Sequence, residues 1–395
     1  MNKRLQCVAD SPHPLAFRWT ADQIAALRPT DENTIPTFAQ DACAPRLPGL
    51  DIWDMWPVEN PEGHAHTFAQ GWLWLALAAP VLPDPEDRHA IARIHLLLEA
   101  SDGSGWADFG PAFPDGHTPG SREWSGSALY QPDGDRVLCW FTAAGRRNEA
   151  SPSFEQRLFL CEGTLQWHGD KPVIKGWSDP AEAVSADGEI YLQVRGSEGG
   201  AGTIKAFRDP FYFQDPRSGE HFLFFTASKA ASTSSWNGVI GVAHSFDGAH
   251  GPWRLLPPVV DADGLNNELE RPHMRYLGGQ YYLFWSTQRK VFVADAAQGP
   301  TGLYGVVGEG PLGPFRPING DTLVAGNPEE TPWQAYSWWV LGDCRVTGFA
   351  DWPGVTPDAA PSDAEGRRRA FGGSPAPWFT LLLEGDSSRI QLDSR

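Results

Sequence analysis

One arrangement recurs along the chain: a polar or glycine-rich turn followed at once by a short run of aromatic and aliphatic residues. It reads QGWLWLALAA from Gln70, DGDRVLCWFTA from Asp133, DGEIYLQV from Asp187, SGEHFLFFTA from Ser218 and GGQYYLFWST from Gly278. Runs this short, apolar almost throughout and bounded by turn residues, describe strands buried on both faces rather than amphipathic helices. With 42 Gly and 35 Pro the chain can turn often. A second echo links Gly251-Pro252-Trp253-Arg254 with Gly313-Pro314-Phe315-Arg316, each downstream of a Gly-Val strand start, Gly241-Val242 and Gly305-Val306. These repeats predict an all-β protein of stacked antiparallel sheets, as in a β-propeller. A pair of β-sandwiches is the alternative, and composition separates the two poorly.

The clearest helix signal is TADQIAALRP, where Thr20 and Gln23 form a capping box and Pro29 ends the segment. It places a helix in an N-terminal arm, residues 1–48, ahead of a single large β domain over 49–395. In HAIARIHLLLEASDGSGW, Ile91, Ile94, Leu97 and Leu98 suit a helical stripe, but the β-branched content and the following Asp102-Gly103 favour a strand and hairpin. DAEGRRRAF, from Asp363, reads as a mobile charged loop, and GEGPLGPF, from Gly308, as a hairpin turn without the strand-to-helix setting of a phosphate cradle.

Composition narrows the partners. The net charge is −18 and no basic run exceeds Arg367-Arg368-Arg369, so the electrostatic footprint of a nucleic-acid binder is missing. The five cysteines show no metal-binding spacing; a Cys7–Cys43 disulfide stays open. His64-Ala65-His66 begins in a turn and lacks a third ligand, which makes it a solvated loop. No metal or cofactor is expected, since no Walker loop or dinucleotide fingerprint occurs either. The N-terminus lacks the apolar stretch of a signal peptide, and no 18-residue apolar span exists. The expectation is a soluble protein, cytoplasmic or exported by a signal-independent route. Eighteen Trp and 21 Phe against 8 Tyr are more than core filling suggests; flat indole faces suit the C–H faces of sugars, so part of this set is expected to form a ligand surface.

Three acids stand just ahead of prolines: Asp54 in WDMWP, Asp209 in FRDPFYF and Glu270 in ELERPH. Proline lacks an N–H and is confined within sheets to edges and strand starts. The innermost strand of a propeller blade is such an edge, so three acids on inner strands can meet in one axial pocket. Two carboxylates flanking a glycosidic bond, one ionised and one protonated, are what a glycosidase needs. Trp53 and Trp56 would then wall the pocket and exclude water.

WDMWP, EWSGSALY, FRDPFYF, ELERPH, GLYGVVGEGPLGPFRPING and QAYSWWV, in this order, resemble the successive motifs of the levansucrase family, glycoside hydrolase family 68. The similarity runs from the N-terminal helix to FGGSPAPWFTLLLEG. The resemblance implies a five-bladed β-propeller with a deep axial pocket and a retaining transfer of fructosyl from sucrose to water or sugar acceptors. By motif position Asp54 would be the nucleophile, Glu270 the general acid/base and Asp209 the transition-state stabiliser. Trp53, Trp124, Ser125, Arg208, Glu268, Arg271 and Tyr336 fall on positions that shape the sucrose pocket in the family.

The chain departs from the family pattern twice. Some members hold a structural calcium ion with an Asp just before the Glu-x-Glu-Arg-Pro motif, whereas here Asn267 stands there. Where relatives place Arg or His at the acceptor subsite, Gln288 aligns and Arg289 follows. The competing readings are a β-fructosidase or arabinan-cleaving propeller of a neighbouring family and a non-catalytic sugar-binding propeller. The latter has no need of three acids.

Overall fold

A computed structural model describes residues 16–102, 105–194 and 204–392. Five antiparallel blades succeed one another along the chain. Blade 1 comprises Leu50–Glu59, Gly71–Pro80, Arg93–Ala100 and Trp106–Pro111. Blade 2 comprises Arg122–Gln131, Arg136–Ala144 and Gln156–His168, with Lys171–Lys175 and Ala181–Val184 both pairing with the last of these. Blade 3 runs Phe207–Gln214, His221–Ser228, Gly238–Ser245 and Arg254–Asp261. Blade 4 runs Glu270–Leu277, Gln280–Thr287 and Gly302–Gly308, edged by Phe315–Pro317 and Leu323–Gly326. Blade 5 is Ala335–Val340, Arg345–Ala350, Phe379–Glu384 and Ser387–Gln391. The protein is a five-bladed β-propeller.

The first strand of each blade lines the axis. Pro57, Pro210 and Pro272 all lie in these inner strands, the edge position a strand can give to a residue without an N–H. Four of the five aromatic-aliphatic runs are the second strands of blades 1 to 4, buried on both faces as their composition requires. The fifth, DGEIYLQV, is not a strand. Asp187 accepts hydrogen bonds from the N–H groups of Glu189, Ile190 and Tyr191 and curls the segment, and Tyr191, fully buried, donates its hydroxyl to the Leu256 carbonyl at 2.6 Å. The second strand of blade 5 is instead Arg345–Ala350, RVTGFA, which carries too little aromatic character to stand out.

The Gly-Pro echo marks equivalent turns between the third and outer strands of blades 3 and 4. Gly241-Val242 and Gly305-Val306 lie inside those third strands, not at their starts, and a Cβ on Gly241 would come 2.2 Å from the Phe225 ring.

The predicted helix forms over Ala21–Ala26, with both halves of the Thr20–Gln23 capping box made. Phe17–Arg18 adds in parallel to the outer strand of blade 3, Trp19 packs edge-on against Trp285 and Tyr304 of blade 4, and the Glu32 carbonyl accepts from Ile390 of blade 5. HAIARIHLLLEA resolves into a short 3-10 turn, Pro85–Ala90, and the expected strand Arg93–Ala100.

The reading of DAEGRRRAF as a mobile loop is wrong. Ala364–Ala370 is a helix capped by Asp363, and it is tied down from below, because Arg368 grips the buried carboxylate of Asp51 and Arg367 pairs with Asp84. Two ion pairs at the end of an isolated charge run are invisible without the partners. Cys7, and with it the Cys7–Cys43 pairing, lies outside the described residues. His64 is exposed, but the ring of His66 packs against Phe68 and Tyr130 with centroids 4.5 and 4.4 Å away. No helix among the described residues is long and apolar enough to cross a membrane.

Candidate active site

A regular strand sends successive side chains to opposite faces. Each of the five inner strands breaks that rule at one level of the axis. Its pairing with the second strand shifts register between Trp53 and Met55, Trp124 and Gly126, Arg208 and Phe211, Glu270 and His273, and Tyr336 and Trp339. A β-bulge re-aims side chains in this way. Here it turns neighbours to the same side, so that Trp53 with Asp54, Trp124 with Ser125 and Arg208 with Asp209 all face one cavity of about 480 Å³.

The backbone is strained where this happens. Asp54, Asp209, Arg271 and Ser337 sit at φ values of 40°, 59°, 52° and 61°, a left-handed region that costs a residue with a Cβ roughly 1–2 kcal/mol. Blade 2 has no left-handed residue at this level; its bulge instead brings the backbone close, and a Cβ on Gly126 would lie 1.8 Å from the Trp140 carbonyl oxygen.

Glu268, Glu270 and Gln288 also line the cavity, which brings together nine of the predicted residues, all but Arg271 and Tyr336. Those two stand behind the wall. Tyr336 donates its hydroxyl to Glu270 Oε2. The Arg271 guanidinium donates to Ser337 Oγ at 2.7 Å and to the Met55 carbonyl at 2.7 Å, stitching blade 4 to blades 5 and 1, and it lies over the rings of Trp56 and Trp339. Trp56 is therefore fully buried beneath Arg271 and is not the pocket wall expected for it. Of the 18 tryptophans only Trp53 and Trp124 line this cavity; others, such as Trp56, Trp74, Trp140 and Trp339, pack one blade against another.

The acids are held differently. Ser125 and Thr226 hydroxyls donate to the two oxygens of Asp209 at 2.6 and 3.0 Å, and the Arg271 N–H adds a third contact at 3.3 Å. Arg208 donates to Glu270 Oε1 at 2.7 Å and lies 3.6 Å from Glu268 and 3.7 Å from Asp209. Burial pushes the Asp54 carboxyl up to about 6; Asp209 and Glu270 add repulsion, while Arg271 and a hydrogen bond from Ser337 pull the other way. Burial raises Asp209 too, against the pull of Arg208. Glu268 is raised by burial and then by the neighbouring Glu270.

Several lining residues were not expected from the sequence, His89 and Lys290 among them. His89 lines the cavity as an exposed residue; it packs edge-on to Trp53, and its carbonyl accepts from the Trp124 indole. Lys290 supplies the cation beyond Gln288. Arg289, the other basic residue considered there, does not line the cavity: a 3-10 turn over Arg289–Val291 brings its neighbour in instead. Neither residue carried a motif of its own.

The levansucrase/invertase model of glycoside hydrolase family 68 matches residues 8–237 and 230–394. The chain belongs to this family. Within it, the chain is 30% identical to a levansucrase of Pseudomonas savastanoi pv. glycinea over 90% of each sequence. It is 31% identical to a levansucrase of Zymomonas mobilis, over 86% of this chain and 82% of the other. Among solved structures, the inulosucrase of Halalkalicoccus jeotgali bound to kestose superposes with a TM-score of 0.84 at 36% identity, covering 95% of both chains. Membership across nearly the whole chain does not favour the arabinan-cleaving and non-catalytic alternatives.

Proposed function

We infer that the chain cleaves sucrose by a retaining double displacement and passes the fructosyl group to water or to a sugar hydroxyl. The observation that carries this reading is the convergence of Asp54, Asp209 and Glu270 from three blades on one cavity with indole walls. In the first step an Asp54 oxygen bonds to the anomeric carbon as the bond to the glucosyl oxygen breaks, and Glu270 gives that oxygen its proton. In the second step Glu270 takes a proton from the incoming hydroxyl, whose oxygen displaces Asp54. Asp209, with both oxygens oriented by fixed donors, grips fructosyl hydroxyls in the transition state. Trp53 and Trp124 exclude water and position the ring, and Arg208, paired with both Glu268 and Glu270, holds Glu270 in place. Residues 49–395 act as the catalytic unit, with 1–48 as an N-terminal arm whose described part runs across blades 3 to 5. Incubation with sucrose, raffinose and an arabinan, followed by chromatography, tests the assignment: glucose should appear from sucrose and nothing from arabinan.

The pH profile follows from Asp54. A nucleophile must be ionised, so raising its pKa moves the acid limb of kcat/KM upward from the ordinary aspartate range of about 4 towards the value of about 6 that burial imposes. Ser337→Ala removes a hydrogen bond that favours the charged form, so it should move that limb higher still. A limb unmoved by the substitution would remove Ser337 from this role.

The acceptor side predicts the products. An acceptor competes with water only if the site holds it in attack geometry. Gln288 is short and uncharged, and Lys290 is an exposed, rotamer-rich cation that holds a partner loosely. Hydrolysis and short fructo-oligosaccharides should dominate, with little high-mass fructan. Free glucose far exceeding free fructose, together with a polymer on gel filtration, would contradict this; Gln288→His should lengthen the products.

A further inference from the structure

The Lys205 ammonium sits where three segments meet, at 2.7 Å from Asn267 Oδ1, at 3.0 Å from Asn237 Oδ1, and in contact with the Ser235 carbonyl. An ammonium has three N–H donors, and these three oxygens occupy all of them. Asn237 and Asn267 are buried, 4% and 3% exposed. The segment that carries the lysine is itself fixed, since Gln156 donates to the Lys205 carbonyl at 2.8 Å and accepts from Phe207 N–H at 3.0 Å.

Asn267 occupies the position at which some family members carry a calcium-binding Asp. Calcium takes six to eight oxygens, several of them anionic. The residues here do not fit it: three neutral oxygens converge on a charge already fixed in the chain, which would repel a divalent ion. Asn267 and Lys205 are also mutually consistent. A monovalent ammonium needs no carboxylate to balance it, and an amide with its oxygen turned to Lys205 must turn its nitrogen the other way. Asn267 Nδ2 accordingly donates to Glu268 Oε1 at 3.2 Å and to the Ile204 carbonyl at 3.3 Å. An Asp at 267 would have no proton to donate and would set a second anion beside Glu268.

We propose that Lys205 is a built-in cation that replaces a structural metal ion, and that through Asn267 it positions Glu268, and through Arg208 the reacting carboxylate Glu270. The first half is a statement about the fold. The second rests on the proposed sucrose-cleaving reaction.

The test combines thermal unfolding with sucrose kinetics on the full chain. Melting curves of the unsubstituted protein in EDTA and in calcium chloride should superimpose. Lys205→Met keeps the aliphatic stem and removes the charge; it should lower Tm by several degrees, leave the three oxygens without their partner, and reduce kcat roughly tenfold or more, as losing a supporting shell commonly does, with little change in KM. Asn267→Asp keeps an ion pair with Lys205 and so should melt near the parent temperature, yet it too should lose kcat, because Glu268 loses its donor. That variant separates positioning from mere folding even if Lys205→Met yields no folded protein. A Tm of the parent lowered by EDTA, an unchanged Tm and kcat in Lys205→Met, or an unchanged kcat in folded Asn267→Asp would each overturn the proposal. If the parent released no glucose from sucrose, the reaction would be misassigned, while the melting curves would still decide whether Lys205 replaces a metal ion.

Discussion

Asp54→Asn should reduce sucrose turnover by on the order of 10⁴-fold, because a catalytic unit that loses its nucleophile retains only binding and electrostatic contributions. The protein should remain folded. Asparagine has the shape of aspartate and tolerates the left-handed backbone at φ 40°, so the bulge that presents the side chain survives. Burial holds the Asp54 carboxyl at about 6, above its value in an unfolded chain, which means that its charge at neutral pH opposes folding. Removing the charge should therefore leave Tm unchanged or raise it. The measurement is kcat on sucrose beside a melting curve; a folded variant that keeps a tenth of the parent rate would take Asp54 out of the covalent step.

Glu270→Gln should separate two kinds of substrate. The glucosyl oxygen of sucrose leaves poorly unless protonated, so loss of the acid should cost roughly 10²–10⁴-fold. A fructoside with an activated leaving group needs no proton, and its first step should be nearly unaffected. Glutamine keeps one oxygen to accept from Arg208, and its NH2 can donate to the Tyr336 hydroxyl, which in the parent donates to the other oxygen of Glu270, so binding should change less than chemistry. Equal losses on both substrates would mean that Glu270 orients the sugar and another group supplies the proton.

Much of the fold was legible because burial on both faces leaves a local mark. Gly71–Pro80, Arg136–Ala144, His221–Ser228 and Gln280–Thr287 are apolar almost without interruption, and each follows a turn, so single windows of sequence reveal them. DGEIYLQV carried the same mark for a different reason: Tyr191 and Val194 are buried beneath a curled cover, and an isolated pair of buried residues looks in sequence like the start of a strand. RVTGFA in blade 5 had the opposite fault. Its small residues are as buried as any, but their burial is imposed by neighbouring blades and leaves little trace in composition.

The sequence by itself determined the acids and their place next to prolines on inner strands, and with them the family and the expected chemistry. These follow from residue types and order, which short motifs preserve. Tertiary structure alone decided how the side chains face. Without the register shifts, Trp53 and Asp54, or Arg208 and Asp209, would point to opposite faces, and no local signal announces a bulge that is held open by contacts from other blades. The same holds for charge. Arg271 reads as one more pocket residue and becomes a stitch between blades; Arg368 reads as part of a solvated run and grips a buried Asp51. Lys205 carries no motif, and its three acceptors come from positions 235, 237 and 267. The energy of a charged group depends on which partners surround it in a medium of low dielectric, and those partners are set by the closure of the propeller.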